Sequence, residues 1–136
     1  MNYKKNTLNM INILTLPNSN AINIEKFIKI TQNNIDLGLS LLSLFKQQAY
    51  EHLDNLHCEL AINHTASHQL FEVTHAIKGA SLSIAAEKVS DLSTIIEHQI
   101  RDNIQIDHKH YYHLIEATQE LLYYITAIET RQSLLK

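Results

Sequence analysis

The sequence predicts an all-α protein, namely an antiparallel four-helix bundle with an extra short N-terminal helix. The first reason is a scarcity of helix breakers, because the 136 residues include only two glycines, Gly38 and Gly79, and one proline, Pro17. The second is that apolar residues recur at steps of three and four, which places them on one face of a helix. The third is that short polar connections separate these stretches, and such connections favour antiparallel neighbours.

The N-terminal region divides into a tail and the start of a domain. Residues 1–20 form the predicted tail, and residues 21–136 form the predicted helical-bundle domain. The tail mixes Asn and Lys with short apolar patches and ends in Pro17-Asn18-Ser19-Asn20, a sequence typical of a turn. We expect three of its apolar residues to pack against the domain: Ile11, Ile13 and Leu14.

Two helices are predicted in the first half of the domain. A short one begins at Ala21, with Asn20 as its N-cap, and ends at the Asn33-Asn34 pair. A long one runs from Asp36 to Ile62, and its polar side is rich in Gln, Glu and Lys. The apolar positions predicted to face the core are Leu37, Leu41, Leu44, Phe45, Ala49, Leu53, Leu56 and Leu60.

Three further helices complete the predicted bundle. The third begins at Ser67, a good N-cap. The fourth runs from about Ala85 to Asp102, and a start near Ile84 with Ser83 as its cap is the alternative. The last extends from Asp107, another N-cap, to about Leu134. The residues predicted to face inward are Leu70, Val73, Thr74, Ile77 and Ser81 in the third helix, Val89, Leu92, Ile95, Ile96 and Ile100 in the fourth, and Tyr111 or Tyr112, Leu114, Ile115, Leu121, Leu122, Ile125 and Ile128 in the last.

Composition and charge narrow the functional classes. The formal net charge is −3 and the pI is about 6.3, so the chain has no basic surplus for nucleic acid. No apolar run approaches the length of about 18 residues that a membrane span needs. One cysteine, Cys58, excludes an internal disulfide and favours a reducing compartment. We therefore expect a cytoplasmic protein that is a monomer, because a bundle with one filled core needs no partner to be stable.

The stretch Thr74-His75-Ala76-Ile77-Lys78-Gly79-Ala80-Ser81 in the third predicted helix is typical of a reactive site. His75, Lys78 and Gly79 stand at i, i+3 and i+4, so they share one helix face. A neutral imidazole can offer a lone pair to phosphorus, and the ammonium one turn away can neutralise part of the charge of a phosphoryl group. Glycine inside a helix costs about 1 kcal/mol relative to alanine. Close approach of a partner to Gly79 would account for that cost, and close packing of helices is the alternative.

The segment from His75 to Ala86 resembles the signature of histidine-containing phosphotransfer (HPt) domains. That signature reads roughly His-x-Leu-Lys-Gly-small-small-x-x-(Leu/Ile)-Gly-Ala. The resemblance extends over residues 21–130, because the helices on both sides of the motif match as well. The matching positions are Leu41, Leu44 and Phe45 before the motif, and Val89, Leu92 and Glu97 after it.

The resemblance implies that the chain is a phosphorelay carrier in two-component signalling, with no kinase activity of its own. HPt domains are helical bundles that take a phosphoryl group from the aspartate of one response-regulator receiver domain and give it to another. His75 matches the phosphorylated histidine, Lys78 the basic residue beside it, and Gly79 the glycine that lets the receiver approach. The implied partners are receiver domains, with a hybrid sensor kinase as a further candidate donor. The carrier itself needs no cofactor, because Mg²⁺ is expected on the receiver domain.

The neighbours of the motif lead to two further expectations. Ala85 stands where the family usually has glycine, at the turn into the next helix. A left-handed backbone there would cost alanine about 1–2 kcal/mol, and we expect a tighter right-handed turn instead. Phe71, four residues before His75, and Leu82 are expected to be apolar contacts for the partner.

Other functional classes fit the residues less well. A kinase would need a glycine-rich nucleotide loop or an acidic magnesium site, and the sequence has neither. The nine histidines suggest metal, but only His110 and His113 have ligand spacing, and no cysteine or carboxylate pair completes a site. A helical docking module that binds and regulates a receiver domain or kinase without taking phosphate is the alternative. The intact His75, Lys78 and Gly79 favour the phosphocarrier.

Overall fold

The polypeptide forms helices joined by short connections. The computed structural model describes residues 10–16, 19–62, 68–102 and 108–134, and this part of the chain contains no β-strand. A short 3-10 helix, Ser19–Ala21, follows the first α-helix. In chain order the α-helices are α1 (Met10–Leu14), α2 (Ile24–Thr31), α3 (Ile35–Ile62), α4 (His68–Ser83), α5 (Glu87–Arg101) and α6 (His108–Leu134).

The four long helices, α3 to α6, form the predicted bundle. Helix α3 packs on α4, α4 on α5, and α5 on α6, while α6 closes the ring by packing on α3. Successive helices are therefore neighbours, as short connections require for an antiparallel bundle. The predicted fold class is confirmed. The fully buried residues of the core include Leu42, Leu56, Leu70, Ile96, Leu114 and Ile125.

The bounds of the long helices agree closely with the prediction. Helix α3 begins one residue before the predicted Asp36 and has 28 residues, which corresponds to a length of about 42 Å. Helix α5 lies within the stretch predicted for it, from Ala85 to Asp102. The predicted N-caps Ser67 and Asp107 lie outside the described residues.

The predicted inward faces are mostly buried, but three positions are wrong. Leu37, Leu44 and Ile95 are 42%, 49% and 44% exposed. Leucines crowd residues 37–45 on every side of α3, so periodicity alone cannot select the buried stripe. Cys58 is exposed on the same helix. The buried stripe of α3 consists of Gly38, Leu42, Phe45, Ala49, Leu53 and Leu56.

The N-terminal helix α1 shares the core of the bundle. Its buried residues are Met10, Ile13 and Leu14. Ile11, which the sequence predicted to pack, is 55% exposed. The Tyr124 hydroxyl on α6 donates a hydrogen bond of 2.6 Å to the Leu14 carbonyl oxygen, which ties α1 to the bundle. The division of the chain into a tail and a domain at residue 20 stays a prediction.

Helix α2 begins three residues later than predicted. Its N-cap is Asn23, whose side-chain oxygen accepts a hydrogen bond of 3.1 Å from the Lys26 N–H. The predicted cap, Asn20, lies in the 3-10 turn instead. The helix ends close to the predicted Asn33-Asn34 break, where Gln32 and Asn33 adopt positive φ angles.

The turn between α4 and α5 is left-handed at Ala85, where φ is 57°. The expectation of a tighter right-handed turn is therefore wrong. Four backbone hydrogen bonds hold the turn. In the two shortest, the Asn23 N–H donates to the Ala85 carbonyl at 2.8 Å and the Ala86 N–H donates to the Ser81 carbonyl at 2.9 Å. These bonds and the burial of Ala85 offset a cost of about 1–2 kcal/mol for a side chain in this conformation.

Candidate functional site

Helix α4 presents His75 to solvent. The opposite face of the helix is buried in the bundle through Leu70, Thr74, Ile77 and Ser81. Because His75 follows Thr74 by one residue, its side chain leaves the helix at about 100° from that buried position. The His75 side chain is 66% exposed, so a large partner can reach the imidazole.

A buried carboxylate on α5 stands behind the imidazole. The Glu97 Oε1 atom lies 2.7 Å from His75 Nδ1, and the Glu97 Oε2 atom lies 3.1 Å from Lys78 Nζ. The Glu97 side chain is only 3% exposed, so the carboxylate end of both contacts is shielded from water. Hydrogen bonds that involve an ionised partner are stronger than neutral ones, and this site has two of them on one carboxylate.

The surroundings of Glu97 determine its charge. Burial by itself raises the pKa of this carboxyl, but the hydrogen bonds from His75 and Lys78 outweigh burial and, with the Lys78 charge, lower the pKa below its ordinary value of 4.5. Glu97 is therefore a carboxylate at neutral pH. A carboxylate can only accept hydrogen bonds, so both of its neighbours must donate.

An ionised Glu97 determines the tautomer of a neutral His75. The Nδ1 atom must carry the proton that it donates to Glu97, and Nε2 then keeps its lone pair. The two nitrogens diverge across the ring, so Nε2 points away from the buried carboxylate. The arrangement exposes an unprotonated nitrogen at the surface of α4, where it can act as a nucleophile.

Lys78 and Gly79 lie on the same side of α4 as His75. Besides its bond to Glu97, the Lys78 ammonium has two further N–H donors, and its side chain is 27% exposed. Gly79 is exposed, and a Cβ built on it would meet no heavy atom of the described residues within 4 Å. Within that part of the chain, close helix packing is therefore excluded as the reason for this glycine.

Phe71 lies one helical turn before His75, and its ring stacks on the imidazole. The ring centroids are 5.7 Å apart, and the two planes differ by 9°. Phe71 is half-buried, whereas Leu82, two turns after His75, is 55% exposed. Contact of Phe71 or Leu82 with a partner stays a prediction. Glu72 pairs with His68 at 2.9 Å, on the exposed surface of the same helix.

Sequence reasoning matched Glu97 to the family pattern but gave it no role at the site. A signal was present, because Glu97 lies between Ile96 and Ile100, both predicted to face inward. A carboxylate near a buried face needs partners that neutralise it. The sequence does not show that those partners are His75 and Lys78, since the contact depends on how α4 and α5 are set against each other.

Outside the His75 site, the described histidines do not gather into a metal centre. The Gln99 Nε2 atom lies 2.8 Å from His110 Nδ1, and His113 lines a separate cleft beside Lys88 and Leu92. Across residues 10–16, 19–62, 68–102 and 108–134, no three His, Cys, Asp or Glu side chains are grouped so that they could hold a metal ion. In the same ranges, no helix is both long and apolar enough to cross a membrane.

The fold and the site define a class of protein: a helical bundle that exposes one histidine, backed by a buried carboxylate and flanked by a lysine and an open glycine. Comparison with protein families is consistent with this class, because the family model of the Hpt domain matches residues 40–128, more than half of the chain. The chain therefore belongs to the Hpt domain family, whose members carry out histidine phosphotransfer in phosphorelay signalling. Comparisons with curated proteins and with solved structures found no significant match.

Proposed function

We propose that His75 accepts a phosphoryl group on Nε2 from a receiver-domain aspartate, or from a kinase, and passes it to a second receiver domain. The observation that carries the proposal is the hydrogen bond between His75 Nδ1 and the buried Glu97 carboxylate. This bond leaves the reactive nitrogen unprotonated and directed away from the bundle, where a partner can reach it.

Atoms and charges balance in both directions of the transfer. In the forward step the His75 Nε2 lone pair forms a bond to phosphorus, and the bond between phosphorus and the aspartate oxygen breaks. The aspartate leaves as a carboxylate, and the imidazole becomes a cation with a proton on Nδ1 and the phosphoryl group on Nε2. Glu97 stabilises this cation by accepting the Nδ1 hydrogen bond. In the return step a second aspartate attacks phosphorus, and the electrons of the N–P bond go back to Nε2.

Lys78 and Gly79 complete the proposed site. The Lys78 ammonium can neutralise phosphoryl oxygens with the two N–H groups that its bond to Glu97 leaves over. Because one carboxylate holds both His75 and Lys78, the ammonium stays on the side of α4 that carries the reactive ring. The open space at Gly79 admits the surface of the partner.

The partner in this proposal is a receiver domain, the class of protein that Hpt domains bind. The receiver supplies the aspartate and the Mg²⁺, and this chain supplies the nucleophile and its surroundings. A hybrid sensor kinase is a further candidate donor. We place the reaction in the cytoplasm, with the carrier acting as a monomer.

Phosphoryl transfer between proteins tests the proposal directly. Wild-type protein and His75→Gln are incubated with phosphorylated receiver domains and Mg²⁺, and the stability of the label in acid and in base is measured. We expect a label that is lost in acid, survives base and is absent from His75→Gln. Folded wild-type protein that binds receivers but takes no label would instead indicate a docking module.

Glu97→Gln tests the role of the carboxylate. The introduced amide must turn its oxygen to the Lys78 ammonium and its NH₂ group to His75 Nδ1, because the ammonium can only donate. Nδ1 then accepts a hydrogen bond, and the proton moves to Nε2, which loses its lone pair. A charge-assisted hydrogen bond contributes about 1–1.5 kcal/mol more than a neutral one, so we expect transfer to be about tenfold slower.

Glu120→Gln is the matched control for this variant. It removes an exposed carboxylate on α6 that pairs with Lys88 at 3.3 Å, outside the His75 site. Transfer by Glu120→Gln should equal that of wild type. A folded Glu97→Gln protein that transfers as fast as wild type would refute the proposed control of the tautomer.

A further inference from the structure

Phe71 contacts His75 within the chain itself, in addition to its predicted contact with a partner. The two ring centroids lie 5.7 Å apart, and the planes are within 9° of parallel. At this distance and angle the rings form an offset stack, an arrangement that aromatic pairs favour. The two residues are one helical turn apart, so α4 holds both rings in register.

Glu97 and Phe71 restrict different motions of the imidazole. The hydrogen bond to Glu97 distinguishes the two nitrogens, but a single bond at Nδ1 leaves the ring free to tilt about that bond. The stack with Phe71 restricts the plane of the ring, but it would fit equally well if the ring were flipped by half a turn. Together they select one orientation, in which Nδ1 points to Glu97 and Nε2 points outward.

We propose that Phe71 is a positioning residue for phosphoryl transfer, because its ring and Glu97 together hold the His75 imidazole so that Nε2 faces the incoming phosphoryl group. The inference rests on the proposed function of His75 as phosphoacceptor. Phe71 acts through His75 and not on the phosphoryl group. Reactions between groups held in one orientation are faster than those of freely turning groups. Phe71 should therefore raise the rate of phosphoryl transfer rather than the affinity for the receiver.

The stack of Phe71 on His75 should also stabilise the imidazole after it has been phosphorylated. After transfer the imidazole is a cation, and an aromatic face within about 6 Å attracts a cation through its quadrupole. The separation between Phe71 and His75 meets this requirement. Glu97 stabilises the same charge from the edge of the ring, so the two residues act on the phosphorylated state in the same direction.

Two substitutions separate positioning from contact with the partner. Phe71→Leu removes the ring and keeps an apolar side chain, and Phe71→Tyr keeps the ring as the matched variant. In the isolated protein, side-chain ¹⁵N shifts and three-bond couplings of His75 report its tautomer and its χ angles. Transfer is measured at saturating phosphorylated receiver, and affinity is measured with unphosphorylated receiver and Mg²⁺.

We expect Phe71→Leu to average His75 over several orientations and to slow saturated transfer by about threefold to tenfold. Its affinity for the receiver should change by less than about twofold, since leucine keeps an apolar side chain for the predicted contact with the partner. Phe71→Tyr should retain both the wild-type orientation of His75 and the wild-type rate.

The proposal is overturned if Phe71→Leu keeps a single His75 orientation, or if its whole effect falls on affinity while saturated transfer is unchanged. Failure of the proposed function looks different, because wild type would then take no label at all. In that case the NMR data alone test whether Phe71 positions the His75 ring. Averaged orientations in Phe71→Leu would support it, and an unchanged orientation would refute it.

Discussion

Replacing Gly79 by alanine should make the protein more stable and a slower carrier. A Cβ at this position meets no described heavy atom within 4 Å, so the substitution adds a methyl group without a clash. Alanine is favoured over glycine in a helix interior by about 1 kcal/mol. For a chain of 136 residues, this gain raises the midpoint of thermal unfolding by roughly 3–4 °C.

The methyl group should at the same time hinder the receiver domain. It would stand one turn from His75, in the space that the proposed partner enters. An extra methyl group in a tight contact costs about 1–3 kcal/mol, so transfer at subsaturating receiver should fall about tenfold or more. Thermal and urea unfolding measure the gain in stability, and rapid-quench kinetics measure the loss of transfer.

Gly38→Ala is the matched control for the opening at Gly79. Gly38 also lies in a helix, but a Cβ built there would lie 2.5 Å from Met10 Cε and 3.3 Å from Phe27 Cε2. Met10 and Phe27 are both buried, so the flexible end of Met10 has no free space to move into and displacing it costs about 1–3 kcal/mol. That cost cancels or exceeds the helical gain, so this variant should be no more stable than wild type. A less stable Gly79→Ala protein would mean that the space beside Gly79 is occupied. Unchanged transfer by that variant would refute its role in the approach of the partner.

Three further results are expected. Ala85→Gly should change the free energy of unfolding, measured in urea, by less than about 1 kcal/mol. Relief of the left-handed strain is offset by the entropy of glycine in the unfolded chain and by the loss of a buried methyl group. Ala85→Val should instead lower the free energy of unfolding by on the order of 2 kcal/mol. Because folding lowers the pKa of Glu97, its contribution to stability is complete above the ordinary value of 4.5 and is lost as the pH falls through the folded value. The difference in unfolding free energy between wild type and Glu97→Gln should therefore shrink as the pH falls through the folded pKa of Glu97. A difference that stays constant would contradict a lowered pKa for this carboxyl. Tyr124→Phe should lower the free energy of unfolding by about 1–2 kcal/mol, because the Leu14 carbonyl loses its donor, and a neutral result would mean that α1 is held by packing alone.

The existence and approximate bounds of the long helices follow from local chemistry. The predicted start of α3 is within one residue of the observed start, because breakers, caps and periodicity act between residues close in the chain. The buried stripe of α3 was harder to predict, since leucines surround its first half and Leu37 and Leu44 proved exposed. Which of several apolar faces is buried depends on the helices that pack against it, and that is a tertiary property.

The caps and turns near the N-terminus were predicted less well for a related reason. Asn20 and Asn23 are both good N-caps by residue type, and the structure uses Asn23. The backbone of Asn23 also binds the Ala85 carbonyl, which belongs to the turn after α4. Ala85 takes the left-handed position that ends α4, where the Ala86 N–H bonds the Ser81 carbonyl, and the bond from Asn23 adds a contact from more than sixty residues earlier in the chain. Alanine by residue type favours a right-handed turn, and for that reason the sequence predicted the wrong form.

The sequence by itself determined that the protein is helical, that His75, Lys78 and Gly79 share one face of a helix, and that this face resembles a phosphotransfer motif. Only the tertiary structure decided which nitrogen of His75 keeps its lone pair. The residue responsible is Glu97, which is 22 residues from His75 along the chain and whose Oε1 atom lies 2.7 Å from His75 Nδ1. Helical periodicity relates residues within one helix, whereas the contact between His75 and Glu97 exists because α4 and α5 pack side by side and exclude water from the carboxylate.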